Sequence, residues 1–185
     1  MLSLVTDKFD VIVADIDERA FEIRMEEEGV PALKVSEHLA ELKAKAVFDT
    51  LSEDEKKNTV VIGADTSVLL DDVIYGKPED REDAVKMLSN LSGRVHTVAT
   101  GVALFAGSEI KTFTEETKVE FNPMDDYQMS LISEYCDSGS PYDKAGGYGI
   151  QDMGSLLVKR IDGDYPNVVG LPVARLAREL AVMLK

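Results

Sequence analysis

Two adjoining runs, "VHTVATGVALFAG" at residues 95–107 and "KTFTEETKVEFNP" at 111–123, constrain this chain most. Both are rich in β-branched and aromatic residues, and Gly107 near the junction permits a turn, so they read as two long strands paired antiparallel. A two-stranded ribbon is not stable alone and needs further strands or helices against a face. The flanking sequence supplies both. "TVVIGAD" (59–65) and "SLLVKRIDG" (155–163) read as further strands, and "FDVIVADIDE" (9–18) as a β-rich stretch running into acids. "SEHLAELKAKAVFDTL" (36–51) is an amphipathic helix with Leu39, Leu42, Ala46 and Val47 on one side and Ser36 as N-cap. "REDAVKMLSNLSG" has helical spacing through Ala84, Met87, Leu88 and Leu91, closed by Gly93. "MDDYQMSLISEYCDSG" places Tyr127, Leu131 and Tyr135 four apart, and Pro172 suits the first turn of a C-terminal helix. With no Pro/Gly/Ser-rich linker, residues 1–185 are expected to form one α/β domain, a mixed β-sheet flanked by helices.

Charge narrows the partners. Twenty Lys and Arg against 35 Asp and Glu give a net charge of −15, which repels nucleic acid and anionic membrane surfaces. A small anion remains compatible, because a few lysines or a divalent cation invert the potential locally. The single cysteine, Cys136, excludes an intrachain disulfide and a cysteine-cluster metal site. Asp7 and Asp10 interrupt any signal-type apolar core, and no run approaches the roughly 20 apolar residues of a membrane helix, so a cytoplasmic protein is expected.

Several residues could carry chemistry. Asp65 follows the small residues Gly63 and Ala64 where the apolar run ends, which is either an aspartate capping a turn or a carboxylate at a strand end, where α/β sheets bind ligands. Lys77 precedes Pro78 and so has a restricted backbone; it is either a solvated turn lysine or one aimed at a phosphate. Asp17 and Glu18 can be solvated acids, and Lys43 can snorkel from its helix. "DKAGGYGIQ" carries Gly146, Gly147 and Gly149, which let backbone N–H groups approach an anion or a base. It matches neither the P-loop nor the GxGxxG pattern. His38 and His96 have no metal-binding spacing, and no GxSxG elbow surrounds a serine, so zinc hydrolysis and Ser-His-Asp catalysis are not supported. Carboxylates, lysines and glycine-rich loops remain, an inventory for metal-assisted chemistry on phosphate.

Four segments in order, "VIGADTSVLLDDVIYGKP", "MLSNLSGRVHTVATGVALF", "SPYDKAGGYGIQDMG" and "IDGDYPNVVGLPVARL", resemble the Maf family of nucleoside triphosphate pyrophosphatases. The resemblance covers about Phe9 to the C-terminus. It implies a Maf/ITPase-like fold with two lobes around a nucleotide-binding cleft, and Mg²⁺- or Mn²⁺-dependent hydrolysis of a triphosphate between its α- and β-phosphates. It assigns Asp65 of the GADT motif as catalytic base or metal-linked carboxylate, and Glu18 to a metal or water-positioning role. Lys43 and Lys77 would neutralise triphosphate charge. Thr66 and Gln151 look like the dTTP/UTP branch, and an amide both donates to and accepts from a pyrimidine edge. Asp143 and Lys144 would orient that loop or touch phosphate. Family members also carry a Ser-x-Ser-Pro-Arg-Arg-like loop before a short helix ending in "ELL", whereas this chain opens at "MLSL". The resemblance further suggests a homodimer, and a second reading as a nucleotide-binding regulator of septum formation with little turnover.

Overall fold

The computed structural model describes residues 1–184. Among these, five strands form one antiparallel sheet: β1 (Val60–Leu70), β2 (Val73–Tyr75), β3 (Val95–Ala106), β4 (Glu109–Phe121) and β5 (Val158–Asp162), in the order β2-β1-β3-β4-β5. The helices are α1 (Glu18–Glu27), α2 (Ala32–Thr50), α3 (Glu53–Asn58), α4 (Arg81–Leu91), α5 (Asp126–Asp137), α6 (Tyr165–Val169) and α7 (Val173–Met183). The α/β class and the helix-flanked sheet expected from the pattern are present, the sheet being antiparallel rather than mixed, with β3 and β4 joined through Gly107 at φ 58°. β5 pairs β4 from Lys118 opposite Asp162 to Phe121 opposite Val158, with a register irregularity after Glu120.

The chain divides into two compact units. Unit 1 holds Met1–Thr66, Thr100–Glu115 and the chain from Gly170 on; unit 2 holds Ser67–Ala99 and Glu116–Val169. In unit 1, Val102, Leu104 and Phe113 of β3 and β4 pack with Leu176 and Leu180 of α7, while Ala40 and Ala44 of α2 pack with Ala103 and Phe105. In unit 2, Leu88 and Leu91 of α4 and Leu131, Ile132 and Tyr135 of α5 join Val98, Val119, Phe121 and Leu157 in one core. Burying a side chain of this size stabilises by about 1.5–3 kcal/mol, and the helical spacing of these residues puts them on one face.

Four local expectations differ from the structure. Residues 9–17 adopt no regular element, and Val11, Ile12 and Val13 are exposed. Strand propensity without a hydrogen-bonding neighbour does not make a strand, and β2, antiparallel to β1, pairs only with its last residues, Val68–Leu70. Ser36 is not an N-cap: α2 starts at Ala32 after Pro31, and Ser36 is buried inside the helix with its hydroxyl unpartnered. Asp65 is not at the strand end, because β1 continues through Thr66 and Ser67 to the buried Leu69 and Leu70. Tyr127 is also exposed, while Leu131 and Tyr135 of the same row are buried.

Candidate active site

Unit 1 builds its charged cluster on a close approach of helix and strand. A Cβ at Gly63 would lie 2.2 Å from the carbonyl oxygen of Ala40 and 2.9 Å from the amide nitrogen of Ala44, so only glycine lets α2 lie this near β1. Lys43 stands on α2 between those two buried alanines, and Asp65 lies two residues beyond Gly63, on the same face of β1. The Lys43 Nζ therefore donates to Asp65 Oδ1 at 2.7 Å. It also pairs with Glu18 Oε2 at 2.9 Å. Glu18 opens α1, whose N-cap Asp17 accepts from the Ala20 amide at 3.1 Å, so Asp17 has a capping role.

Burial decides the electrostatics. The Asp65 side chain is 14% exposed, and burial raises its carboxyl above the usual aspartate value. The Lys43 hydrogen bond and charge pull in the opposite direction, while the charges of Glu18 and Glu22 add to the rise. For Lys43, burial alone would lower the ammonium, but Asp65 and Glu18 outweigh it and the net shift is upward. A charged pair with a proton affinity above that of an ordinary aspartate results, suited to taking a proton from water. Thr66 follows Asp65, its hydroxyl 2.9 Å from that of the buried Thr100.

Unit 2 carries the other predicted residues on neighbouring loops. Lys77 is exposed, with the buried Pro78 next to it. The glycine-rich loop is tied to this turn by the Gly146 amide, which donates to the Gly76 carbonyl at 2.9 Å. Lys144 donates to Asp143 Oδ1 at 2.7 Å and to the Ser140 carbonyl at 2.7 Å. That hydrogen bond, with the Lys144 charge and a smaller share from Lys77, lowers the Asp143 carboxyl. Gln151 is exposed at the tip of the loop. The sequence reading missed Tyr135, Ser140 and Asp152, which organise this loop from behind; Tyr135 sits in an apolar helical row and so reads as plain core.

Two hard carboxylates, Glu18 and Asp65, meet at one ammonium, a donor chemistry that suits Mg²⁺ or Mn²⁺ shared with phosphate oxygens. Among the described residues, no three His, Cys, Asp or Glu side chains are grouped closely enough to hold a metal by themselves.

An α/β fold with a buried carboxylate held by a helix lysine, and a glycine-rich loop beside a second lysine, defines a class of proteins equipped to handle phosphates. The chain belongs to the Maf-like protein family, whose profile matches residues 1–183. It is 45% identical over 175 residues to a dTTP/UTP pyrophosphatase of Thermosipho africanus (strain TCF52B), covering 95% of this chain and 82% of that protein. It is 44% identical to a dTTP/UTP pyrophosphatase of Acetivibrio thermocellus over 91% of this chain and 82% of the relative. A dTTP/UTP pyrophosphatase of Geobacillus sp. (strain WCH70) is 43% identical over 97% of this chain and 89% of its own length.

Proposed function

We propose that this protein is a nucleoside triphosphate pyrophosphatase that hydrolyses dTTP, UTP or related modified pyrimidine nucleotides to monophosphate and pyrophosphate. The observation that carries the reading is the buried Lys43–Asp65 pair, found in a chain whose relatives are named for this reaction. Water adds across the α–β phosphoanhydride, and its proton passes to the Asp65 carboxylate. Lys43 keeps that carboxylate oriented and charged. Lys77 and Lys144 offset triphosphate charge, and Thr66, Asp143 and Gln151 serve substrate recognition. Glu18 and Asp65 would hold Mg²⁺ or Mn²⁺, which supplies neutralisation of phosphate charge when bound. The single cysteine and the net charge of −15 support a cytoplasmic setting with a free nucleotide rather than a nucleic-acid polymer as substrate, and we propose a homodimer there.

The test is product analysis on the purified chain with Mg²⁺ and a panel of dTTP, UTP, CTP and GTP. Monophosphate and pyrophosphate should form from dTTP and UTP and stop on chelation. Loss of a general base costs typically 10²- to 10⁴-fold, so Asp65→Asn should lower kcat at least about 100-fold while the circular dichroism spectrum is retained. Orthophosphate as product would sink the reading in favour of another phosphate hydrolase. Tight nucleotide binding with no product would identify a binding regulator instead.

A further inference from the structure

The segment carrying Gln151 is closed at both ends by one oxygen atom. Tyr135, on α5 and fully buried, accepts at its hydroxyl from the Gly149 amide at 2.9 Å and donates to the Asp152 carboxylate, 3.1 Å from Oδ1 and 3.3 Å from Oδ2. Gly149 and Asp152 flank Ile150 and Gln151, and the Asp152 amide returns to the Gly149 carbonyl at 3.5 Å. Ile150 is buried while Gln151 is exposed, so one residue of this two-residue tip anchors it and the other is open to solvent.

The anchor is itself saturated. Asp152 accepts from Ser140 Oγ at 2.6 Å and from the Gly154 amide at 2.8 Å, with Lys144 Nζ 3.7 Å away. A Cβ at Gly149 would lie 2.6 Å from Lys144 Cε and 2.9 Å from Asp152 Oδ2, so the arrangement closes on bare backbone. Burial pushes the Tyr135 hydroxyl up to about 12, which keeps its proton in place as the donor. Burial opposes ionisation of Asp152, yet the bonds from Ser140, Gly154 and Tyr135 and the Lys144 charge together lower its carboxyl. Donor and acceptor therefore keep fixed directions across the neutral range.

Such rigidity is more than a solvent-exposed turn needs. Selecting a base by hydrogen bonds is sharper when the backbone that carries the selecting amide is fixed before the ligand arrives, because a mobile segment lets the amide shift to suit either pattern of donors and acceptors. We propose that Tyr135 and Asp152 are positioning residues that hold Gln151 in the orientation by which it selects uracil- and thymine-type bases. The inference rests on the reading of this protein as a pyrimidine nucleotide pyrophosphatase with Gln151 at the base.

Steady-state kcat and KM for dTTP, UTP and CTP are compared in the unaltered protein, Tyr135→Phe, Gln151→Ala and the double variant, with nucleotide affinity measured in parallel by calorimetry. Tyr135→Phe removes only the hydroxyl and with it both clamp contacts; it should raise KM for dTTP and UTP about 10-fold, the effect of one hydrogen bond lost between Gln151 and the base, with kcat within about twofold. Preference over CTP should narrow as it does in Gln151→Ala, and the double variant should add little to Gln151→Ala alone. Additive effects, or an equal loss on all three nucleotides, would mean that the clamp only stabilises the loop and would overturn the proposal. So would unchanged preference in Tyr135→Phe. If Gln151→Ala itself keeps the original preference, the assignment of Gln151 to the base has failed, a result distinct from failure of the clamp. Absence of turnover counts against the hydrolase reading, and the affinities then decide on the clamp. If Tyr135→Phe does not fold, Asp152→Asn, which keeps one acceptor oxygen, is read in its place.

Discussion

At the scale of the residue, Asp65 shows how a side chain's surroundings set its chemistry. Its pair with Lys43 is largely removed from water, and breaking such a pair by deleting one partner leaves a buried charge uncompensated. In Lys43→Met the hydrogen bond and the charge that lower Asp65 are both lost, whereas burial and the charges of Glu18 and Glu22 persist. The carboxyl then titrates at higher pH. With Asp65 as the base, turnover requires its ionised form, so the acid limb of the pH profile of kcat/KM should move upward in Lys43→Met and overall turnover should fall. An acid limb that stays in place would show that another group controls it. Asp65 and Lys43 are each recognisable from their motifs, but their contact joins positions 22 apart in sequence and depends on the bare Cα of Gly63. Neither spacing nor periodicity displays it. Tyr135 was hidden for the opposite reason: its ring belongs to the core pattern, and only its hydroxyl has other business.

At the scale of the element, what the sequence makes legible is what hydrophobic periodicity encodes. α4, α5 and β4 follow from their apolar spacing because one face of each is the more buried, and β3 follows from its long β-branched and apolar run because both its faces are buried. Residues 9–17 have strand composition but no ladder partner among the described residues, and strand pairing is a property of two segments rather than one. The turn between β1 and β2 is similarly non-obvious: Asp71 and Asp72 take φ 52° and 62°, the left-handed pair that a two-residue hairpin turn demands. Asp71 has a reason to stay, since its carboxylate pairs with Arg94. Among the described residues the Asp72 carboxylate has no comparable partner, so Asp72→Gly should relieve the left-handed penalty and raise stability by up to about 1 kcal/mol, less whatever the more flexible unfolded chain returns. Urea unfolding of the two proteins measures this, and a lower midpoint in Asp72→Gly would show that the aspartate's own contacts outweigh its backbone cost. Glu37 is another anchor invisible in the pattern. It lies on α2 and accepts from Lys34, Thr112 and Thr114, tying that helix to β4; burial would raise its carboxyl, but these bonds hold it down at about 2.

At the scale of the whole molecule, the net charge of −15 sets two electrostatic contributions against each other. Excess negative charge disfavours the compact state through self-repulsion, and salt screens it. Exposed pairs such as Lys45–Asp49, with both side chains more than half exposed, stabilise by no more than about 1 kcal/mol each and are weakened by the same salt. With 35 acids against 20 bases, the acids are in excess by fifteen, so repulsion should dominate the local pairs. The melting temperature should therefore rise when sodium chloride is increased from about 20 mM to about 500 mM, where the Debye length shrinks from roughly 20 Å to under 5 Å. Sulfate would add a separate exclusion effect, so chloride is the cleaner probe. A melting temperature that falls with chloride would mean that the pairs outweigh the excess. Divalent cation gives the matching control: a bound Mg²⁺ should stabilise at millimolar concentration by mass action, far below the ionic strength that screening needs, and Asp65→Asn should remove that increment while leaving the chloride response unchanged.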